Sequence, residues 1–466
     1  MVSSMSTFID ETKILDLLEK AKQSTRREAQ SVIRKALKLK GLTPAETALL
    51  LQCQDWTVTN QLFRAARKVK EEIYGRRLVI FAPLYITNYC VNNCRYCGFS
   101  CANKTLERKR LTQPEIAAEV RILEQQGHKR ILLEAGEDPQ AGIAYLEQAI
   151  KTIYATKYKN GEIRRLNVNA PAMSVKDFKR LKKCQIGTYQ LFQETYHQET
   201  YHKMHLSGPK ANYRYHLYAM HRAQEAKIDD VGIGVLFGLY DYKFEVLALL
   251  CHALELEKKF GVGPHTISVP RIEPAANMEL TLQPPYPVSD QDFKKIVAIL
   301  RLAVPYTGLI LSTRESAKMR NEVIGLGISQ ISAGSSTVPG GYKKSLGRKK
   351  AAGQFSISDN RTLAEVIKDI SKLGYSPSFC TACYRLGRVG ADFMDMAKPG
   401  LIKNFCLPNS LLTFKEYLLD YGDVKAKKLG EKVIKVHLKD IPSSKIREQT
   451  IKKLKRLEQG LRDLYF

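Results

Sequence analysis

Apolar residues in this chain follow two periods that alternate from about residue 76 to residue 331. Arg76 to Tyr85 (RRLVIFAPLY) is a run of branched and aromatic residues, which predicts a buried strand. Segments with helical spacing and short apolar runs then follow in turn. Helices are predicted at Gln113 to Gly127, Ala141 to Tyr154 and Val175 to Cys184, and strands at Arg130 to Glu134, Arg165 to Asn169, Gly187 to Phe192, Val231 to Phe237, Thr266 to Val269, Gly308 to Ser312 and Ile328 to Ile331.

This alternation, with about eight strands over roughly 255 residues, is typical of a parallel βα barrel of the TIM type. The active sites of such barrels lie at the carboxyl ends of the strands. The loops that leave the strands are therefore where we expect candidate chemistry.

Helical spacing extends to both sides of the barrel. Lys13 to Lys38 and Thr43 to Tyr74 predict an N-terminal helical cap. Gly340 to Gly353 holds Lys343, Lys344, Arg348, Lys349 and Lys350, which predicts a solvated basic linker. Ser358 to Asn360 is an N-cap signal for a helix through Leu373, and Lys425 to Arg462 shows helical spacing with a basic outer face. The predicted fold class is α/β: a barrel with an N-terminal helical extension (residues 1–75, then 76–342), a linker (343–357) and a mainly helical C-terminal domain (358–466).

Composition narrows the class of protein. With 466 residues, 44% of them hydrophobic and 26% charged, the chain can bury a sizeable core. Its formal charge of +27 attracts anions, which include phosphorylated metabolites, nucleic acid, acidic proteins and anionic membranes. A solvated basic surface is a simpler explanation than a nucleic-acid site. No apolar run is long enough to span a membrane, and Asp10 and Glu11 argue against a targeting signal, so we expect a cytoplasmic protein.

Six of the ten cysteines form two groups. Cys90, Cys94 and Cys97 (C-x3-C-x2-C) follow the first predicted strand, and three thiolates on one loop can hold three irons of a four-iron cubane while the fourth iron stays open. No histidine lies near this group, which argues against structural zinc. The second group is Cys380, Cys383 and Cys406. The solitary Cys53, Cys101, Cys184 and Cys251 are interpreted as small buried hydrophobes.

The C-x3-C-x2-C motif, with Tyr96 before its last cysteine and a barrel strand before its first, resembles the radical S-adenosylmethionine (SAM) superfamily. The resemblance implies a four-iron cluster whose open iron binds the methionine part of SAM. Ala135-Gly136-Glu137 stands where that superfamily has a Gly-Gly-Glu-like turn that holds the methionine amino group, although the first glycine is absent. Gly136 and Glu137 would otherwise be a turn glycine and a helix-capping acid.

Longer stretches resemble the aromatic amino-acid lyases of this superfamily, and among them the tyrosine lyases that mature iron-iron (FeFe) hydrogenase, relatives of the thiamine-pathway 2-iminoacetate synthases. The matching stretches cover most of the chain: Phe81 to Cys97, Ile186 to His197, Asp229 to Leu239, Gly261 to Arg271, Leu311 to Glu315 and Pro377 to Arg388 (PSFCTACYRLGR). The last stretch discriminates, because it carries the second cysteine group.

The resemblance implies two reactions. A deoxyadenosyl radical would start Cα–Cβ cleavage of L-tyrosine to p-cresol and dehydroglycine (2-iminoacetate). Dehydroglycine would then become carbon monoxide and cyanide at an auxiliary iron-sulfur cluster with a labile iron, on Cys380, Cys383 and Cys406, for the hydrogenase H-cluster. The implied partners are a one-electron donor of the ferredoxin or flavodoxin type and other hydrogenase maturation proteins, with no membrane and no nucleic acid.

Single residues receive roles from position and resemblance. Arg314 suits a bidentate salt bridge with the tyrosine carboxylate, with Ser312 beside it, unless it pairs with Glu315. His265 is the candidate ligand of the labile iron, although a lone histidine is more often structural. The remaining candidates for substrate or cofactor contacts are Gln193, Glu194, Tyr196, Asn167 and Asn169, which could also be ordinary polar positions. His197, His202 and His205 are interpreted as a surface without a metal.

Three alternatives stay open. The first is a sister lyase that stops at 2-iminoacetate or cleaves another amino acid. The second is an RNA-modifying or RNA-binding iron-sulfur protein, which the charge of +27 would serve. The third makes the C-terminal cysteines a zinc or electron-transfer site.

Overall fold

The computed structural model describes residues 7–346 and 353–466. Four helices precede the barrel: α1 (Glu11–Ala21), α2 (Arg26–Ala36), α3 (Pro44–Gln52) and α4 (Trp56–Tyr74). Each of the two helical segments predicted here is therefore divided into two helices. Each break has a local cause, because Thr25 caps α2 in a capping box with Glu28, and the carboxylate of Asp55 caps α4.

A closed barrel of eight parallel strands forms the centre of the molecule, as predicted. Its strands are β1, β2 and β5 to β10, and β3 and β4 form a separate two-stranded hairpin. The bounds are β1 (Arg77–Thr87), β2 (Arg130–Ala135), β3 (Lys157–Tyr158), β4 (Gly161–Glu162), β5 (Arg165–Asn169), β6 (Thr188–Gln190), β7 (Asp230–Gly234), β8 (Thr266–Ser268), β9 (Gly308–Leu311) and β10 (Gln330–Ser332). Strand β10 pairs with β1 and closes the barrel.

Helices surround the strands and shield them from solvent, as parallel sheets require. Their bounds are α5 (Gln113–Gln126), α6 (Ile143–Ala155), α7 (Val175–Lys183), α8 (Gln198–Met204), α9 (Tyr213–Leu217), α10 (Ala219–Glu225), α11 (Tyr242–Phe260), α12 (Asp290–Ala303), α13 (Ala317–Ile324) and α14 (Gly341–Leu346), with short 3-10 helices at Pro209–Ala211 and Glu279–Thr281. Helices α11 and α12 are buried over most of their surface because the N-terminal helices α3 and α4 cover them.

The C-terminal region adds one strand and six helices to the barrel: β11 (Ser376–Ser378), α15 (Leu363–Lys372), α16 (Ala382–Arg385), α17 (Gly390–Ala397), α18 (Lys403–Tyr421), α19 (Val424–Lys439) and α20 (Ser444–Glu458). Strand β11 pairs in parallel with the first residues of β1. The second cysteine group therefore lies at the end of the barrel where the strands begin.

The prediction of a solvated basic linker is wrong for both of its ends, which are the parts of this segment that the structure describes. Tyr342 in α14 is buried, with its hydroxyl on the carbonyl of Pro83, and Gln354 and Phe355 line the barrel mouth. Arg348, Lys349 and Lys350 lie outside the described residues. The predicted N-cap is also wrong, because Thr362 caps α15 in a capping box.

The carboxylate of Asp359 forms ion pairs instead of capping this helix. It is fully buried and binds two guanidinium groups, those of Arg320 and Arg361. Arg320 lies on barrel helix α13, so the pair ties the start of the C-terminal region to the barrel.

Within residues 7–346 and 353–466, no helix combines the length and the apolar character that crossing a bilayer requires. The cytoplasmic location stays a prediction.

The Asp359 carboxylate gives a test of this tie. We expect Asp359→Ala to lower the free energy of unfolding by about 3–5 kcal/mol, because it leaves the buried guanidinium of Arg320 uncompensated. Asp16→Ala removes the exposed ion pair with Lys20 and serves as the control, with an expected loss below about 1 kcal/mol. Urea unfolding of the metal-free protein measures both. Equal losses would contradict the assignment.

Candidate active sites at the two ends of the barrel

The loop after β1 places three thiols in one cavity at the barrel mouth. Cys90, Cys94 and Cys97 all line this cavity, together with residues at the carboxyl ends of the other strands. All ten cysteines are free. The position is the one predicted, and it is where βα barrels place their active sites.

The loop is held by an antiparallel pairing with the segment after α8. The N–H groups of Asn93 and Arg95 donate to the carbonyls of Ser207 and Met204, each at 3.0 Å. The hydroxyl of Tyr96 lies 2.8 Å from Nε2 of His205, which is buried. His205 therefore supports the cysteine loop from behind, and its interpretation as a surface residue is wrong.

Burial favours the protonated form of two of these thiols, because it raises the pKa of Cys94 and Cys97. The pKa of Cys97 rises to about 11, with the neighbouring Cys90 adding to the effect. Binding of a metal would release these protons. No three His, Cys, Asp or Glu side chains in the described parts of the chain are grouped to hold one metal ion. The first cysteine group, with three thiols on one loop, suits a cluster in which each thiolate binds a different iron better than a four-ligand zinc site.

The turn after β2 also faces this cavity. A Cβ atom at Gly136 would lie 2.3 Å from the carbonyl oxygen of Tyr89, so only glycine fits beside the cysteine loop. The carboxylate of Glu137 accepts a hydrogen bond of 2.6 Å from Nδ2 of Asn92. Ala135, which replaces the expected first glycine, is the last residue of β2 and pairs with Thr87, so a side chain is tolerated there. The turn therefore fits its predicted role.

Arg314 lines the same cavity with its charge uncompensated. Its guanidinium carbon lies 3.4 Å from the ring centroid of Phe355. The alternative partner Glu315 binds Arg271 instead, with Nε and Oε1 at 2.8 Å. Among the described residues, no carboxylate lies within ion-pair distance of Arg314. Ser312 lies beside it, with its hydroxyl accepting from the N–H of Arg314 at 3.3 Å.

The segment after β6 places one of its three predicted site residues in the mouth cavity. Glu194 lines the cavity and pairs with Lys210 at 2.8 Å. Its φ of 69° lies in the left-handed region, and this strained backbone is stabilised where Leu236 donates to its carbonyl. Gln193 and Tyr196 do not line the cavity. Tyr196 instead points outward to Nδ1 of His252, at 2.7 Å.

Of the two predicted asparagines of β5, one lines the mouth cavity and the other does not. Asn169, the last residue of the strand, lines the mouth cavity. Asn167 lies one layer deeper, where its side-chain oxygen accepts from the N–H of Thr188 at 3.0 Å. The predicted cofactor contact of Asn167 is therefore wrong.

Two features of the mouth cavity had no signal in the sequence. Gln354 closes one side, because its side chain accepts from the hydroxyl of Tyr85 at 2.8 Å and its carbonyl accepts from Gly98 of the cysteine loop at 3.0 Å. Glu134, near the end of β2, also lines the cavity. Burial raises its pKa to about 8, although Arg314 opposes the shift.

The second cysteine group forms a separate cavity at the opposite end of the barrel. Cys380, Cys383, Cys406 and His265 line it together, although their positions span 142 residues of chain. The other lining residues include the first residues of several strands, among them Arg77 of β1 and Arg130 of β2.

Cationic groups surround these thiols. Arg130 donates to the carbonyl of Cys380 at 2.7 Å, and Arg77 and Arg388 each have a buried Nε without a partner among the described residues. Burial raises the pKa of Cys383 to about 11, while the charge of Arg388 opposes the rise. Nδ1 of His265 lies 3.4 Å from the carboxylate of Asp230, which suits a histidine that binds metal through its other nitrogen.

Comparison with known proteins agrees with this arrangement. The model of the Radical SAM superfamily matches residues 84–250, and that of the Biotin and Thiamin Synthesis associated domain matches residues 268–376. A crystal structure of HydG, a maturase of the [FeFe]-hydrogenase, superposes with a TM-score of 0.96 at 58% identity, covering 99% of this chain and 100% of that one. The chain belongs to the HydG family of radical SAM enzymes.

Two further proteins are similar to this chain. HydG from Carboxydothermus hydrogenoformans is 42% identical, with a TM-score of 0.83 over 95% of this chain and 97% of its own. The 2-iminoacetate synthase of Salmonella typhimurium strain LT2 is 30% identical over 314 residues, which are 67% of this chain and 80% of that protein. Membership brings SAM and a four-iron cluster as cofactors, and the residues at the barrel mouth fit both.

The protonation of Glu134 gives a test of the mouth cavity. Its pKa is raised to about 8, so the folded state binds a proton that the unfolded state has released above about pH 4.5. The stability of the wild type should fall, relative to Glu134→Gln, as pH rises from about 4.5 to about 8, by up to a few kcal/mol. Denaturant unfolding of both proteins across this range measures the difference. A constant difference would contradict a half-buried Glu134 that is protonated in the folded state.

Proposed function

We propose that this chain cleaves the Cα–Cβ bond of L-tyrosine to p-cresol and dehydroglycine during FeFe-hydrogenase maturation. The observation that carries the proposal is the uncompensated guanidinium of Arg314 in the cavity that holds the first cysteine group. A half-buried cation without a carboxylate partner, in a cavity open to a ligand, suits a substrate that brings its own carboxylate. Resemblance to HydG and to 2-iminoacetate synthases supports tyrosine as that substrate.

The chain's own residues would bind and orient the reactants. Cys90, Cys94 and Cys97 would hold the cluster, which with SAM supplies a radical that abstracts hydrogen. Gly136 and Glu137 would receive the methionine amino group, because the turn lies against the cysteine loop without a side chain between them. Asn169 and Glu194 offer further polar contacts at the cavity wall.

Arg314 and Ser312 would bind the tyrosine carboxylate. The phenol ring would then lie against the apolar part of the same wall, where Phe81, Leu132 and Ile310 form a small cluster inside the barrel. Phe355 and Gln354 would exclude water from that side, which protects a radical from quenching.

The second cavity supports the later half of the reaction. Cys380, Cys383 and Cys406 would hold an auxiliary cluster, and His265 would bind a labile iron beside it. This centre would supply the iron chemistry for splitting dehydroglycine into carbon monoxide, cyanide, water and a proton. Arg77 and Arg388 would balance the negative charge of thiolates and of the dehydroglycine carboxylate. A sister activity that stops at 2-iminoacetate is the alternative, and similarity to 2-iminoacetate synthases favours it.

Anaerobic turnover with tyrosine, SAM and dithionite tests the function directly. p-Cresol together with carbon monoxide is the expected result. p-Cresol without carbon monoxide would support the sister activity, and no p-cresol would contradict the proposal.

Arg314 gives the sharpest variant of the first site. Arg314→Lys retains the charge but loses bidentate geometry, so we expect kcat/KM for tyrosine to fall about 10²- to 10³-fold. Cleavage of SAM without tyrosine should be unchanged. Arg385→Lys, at a partly exposed ion pair with Asp463 in the C-terminal domain, is the matched control. If both variants behave alike, Arg314 does not bind the substrate.

Cys383→Ala separates the two sites. We expect it to lower bound iron by about four or five atoms per chain and to abolish carbon monoxide, while p-cresol formation continues. Cys184→Ala changes a solitary cysteine and should leave both products unchanged. Loss of p-cresol in Cys383→Ala alone would show that the two cavities do not work independently.

A further inference from the structure

Glu134 brings into the mouth cavity a carboxylate that neither the cluster nor the tyrosine carboxylate requires. Successive side chains of a strand point to opposite faces. Leu132 and Glu134 of β2 accordingly line the mouth cavity, while Leu133 between them packs into the hydrophobic core behind the strand. Glu134 therefore lies directly beyond the apolar interior of the barrel, on the side of the mouth.

The carboxylate-binding residues lie on the same side of the apolar cluster. Three strands away, Ser312 follows Ile310 as Glu134 follows Leu132, and all four residues line the mouth cavity. The charge of Arg314 is close enough to act on the carboxylate of Glu134. Glu134 thus faces the end of the cavity where we place the polar head of the substrate, and not the end where we place its ring.

No cation of the protein neutralises Glu134. The strand register places Tyr85 on one side of it and Asn169 on the other. The hydroxyl of Tyr85 donates to Gln354 at 2.8 Å, so Asn169 is the hydrogen-bonding neighbour. Among the described residues, no lysine, arginine or histidine lies within ion-pair distance of the carboxylate. It therefore keeps acceptor capacity for a donor that enters the cavity.

The surroundings of Glu134 suit proton exchange near neutral pH. Burial raises its pKa to about 8; Arg314 opposes the rise, Glu194 adds to it and Asn169 opposes it. These are the charged and hydrogen-bonding groups that face the carboxylate from the ends of the other strands. A carboxylate with such a pKa in a cleft has the properties of a general base.

The chemistry of tyrosine supplies the proton. With the carboxylate at Arg314 and Ser312 and the ring on the apolar cluster, the α-amino group remains, and it is an ammonium at neutral pH. A radical on this nitrogen cleaves the Cα–Cβ bond and leaves the imine of dehydroglycine. A hydrogen atom leaves an amine more readily than an ammonium, because the lone pair that stabilises the nitrogen radical is then free. The ammonium therefore has to lose a proton first.

We propose that Glu134 binds the α-ammonium group of tyrosine and takes one of its protons before hydrogen is abstracted. The electron pair of the N–H bond stays on nitrogen and the carboxylate becomes a carboxylic acid, so the step needs no oxidant or reductant. This inference rests on the proposed function, because it takes tyrosine as the substrate. Gly136, two residues beyond, belongs to the turn that would receive SAM, so the amine would lie on that side of the cavity.

Tyrosine binding tests the role of Glu134 without turnover. The reconstituted enzyme, with SAM and without a reductant, is titrated with tyrosine by calorimetry in buffers of different ionisation enthalpy. Because the ionised carboxylate binds the ammonium, the wild type should release close to one proton at about pH 7. Its Kd should fall about 50-fold from about pH 6 to about pH 8. Glu134→Gln should release no proton, and its Kd should not change with pH.

A ligand without the amino group separates recognition from damage to the cavity. 3-(4-Hydroxyphenyl)propionate keeps the carboxylate and the phenol of tyrosine. At about pH 8, Glu134→Gln should raise the Kd for tyrosine about 10- to 100-fold and leave that for the propionate within about twofold. Glu124→Gln is the matched control, because Glu124 on α5 has a pKa that burial raises to about 7 and lies outside both cavities. It should behave as wild type.

Turnover tests the proton transfer itself. With dithionite and saturating tyrosine, p-cresol formation by Glu134→Gln should fall about 10²- to 10⁴-fold, while cleavage of SAM without tyrosine stays unchanged. An undiminished rate of p-cresol formation would show that Glu134 takes no proton.

The binding experiments have outcomes that would overturn the inference. Equal increases in Kd for both ligands would show that Glu134 only shapes the cavity. A wild type that binds tyrosine without releasing a proton would exclude Glu134 as the partner of the amino group. Failure of the wild type to bind tyrosine or to form p-cresol would instead contradict the proposed function, so the two failures are distinguishable.

Discussion

The hydrogen bonding of strand β1 is the constraint on which both sites depend. Its first residues pair with β11, its middle with β10 and its last with β2, so one strand closes the barrel and joins the C-terminal region to it. The first cysteine loop leaves its carboxyl end, and Arg77 at its start lines the second cavity. Because paired strands cannot slip by one residue without turning their side chains over, the register of β1 fixes both cysteine groups at once.

Burial of charge has opposite consequences in different parts of the molecule. Arg301 is fully buried, yet its guanidinium donates to the carbonyls of Pro305, Thr307 and Gly327, so its charge is solvated by backbone dipoles. Arg314 and Arg77 lack such partners and face cavities. Arg301 is therefore saturated by its surroundings, whereas Arg314 and Arg77 keep hydrogen-bonding capacity for a ligand.

The sequence predicted the fold well where the structure of an element depends mainly on its own residues. The strands and the cysteine loops lie within a few residues of their predicted positions, because each depends on a local apolar run or on ligand spacing. The predictions were wrong where contacts with residues distant in the sequence determine the position of a side chain. His205 is buried by its pairing with the cysteine loop, and the hydroxyl of Tyr196 is drawn outward by His252, neither of which its own segment could indicate. The sequence around Gln354 does not indicate its role, because its partners Tyr85 and Gly98 are distant in the sequence.

The contacts of Gln354 and Phe355 mean that the chain is not a barrel with a detachable module. These residues belong to the connection into the C-terminal region, yet they complete the wall around Arg314 and brace the cysteine loop at Gly98. A fragment truncated before them would leave radical chemistry open to water even if its strands closed correctly. Loss of this connection, and not of the second cysteine group alone, would therefore leave the first active site open to solvent.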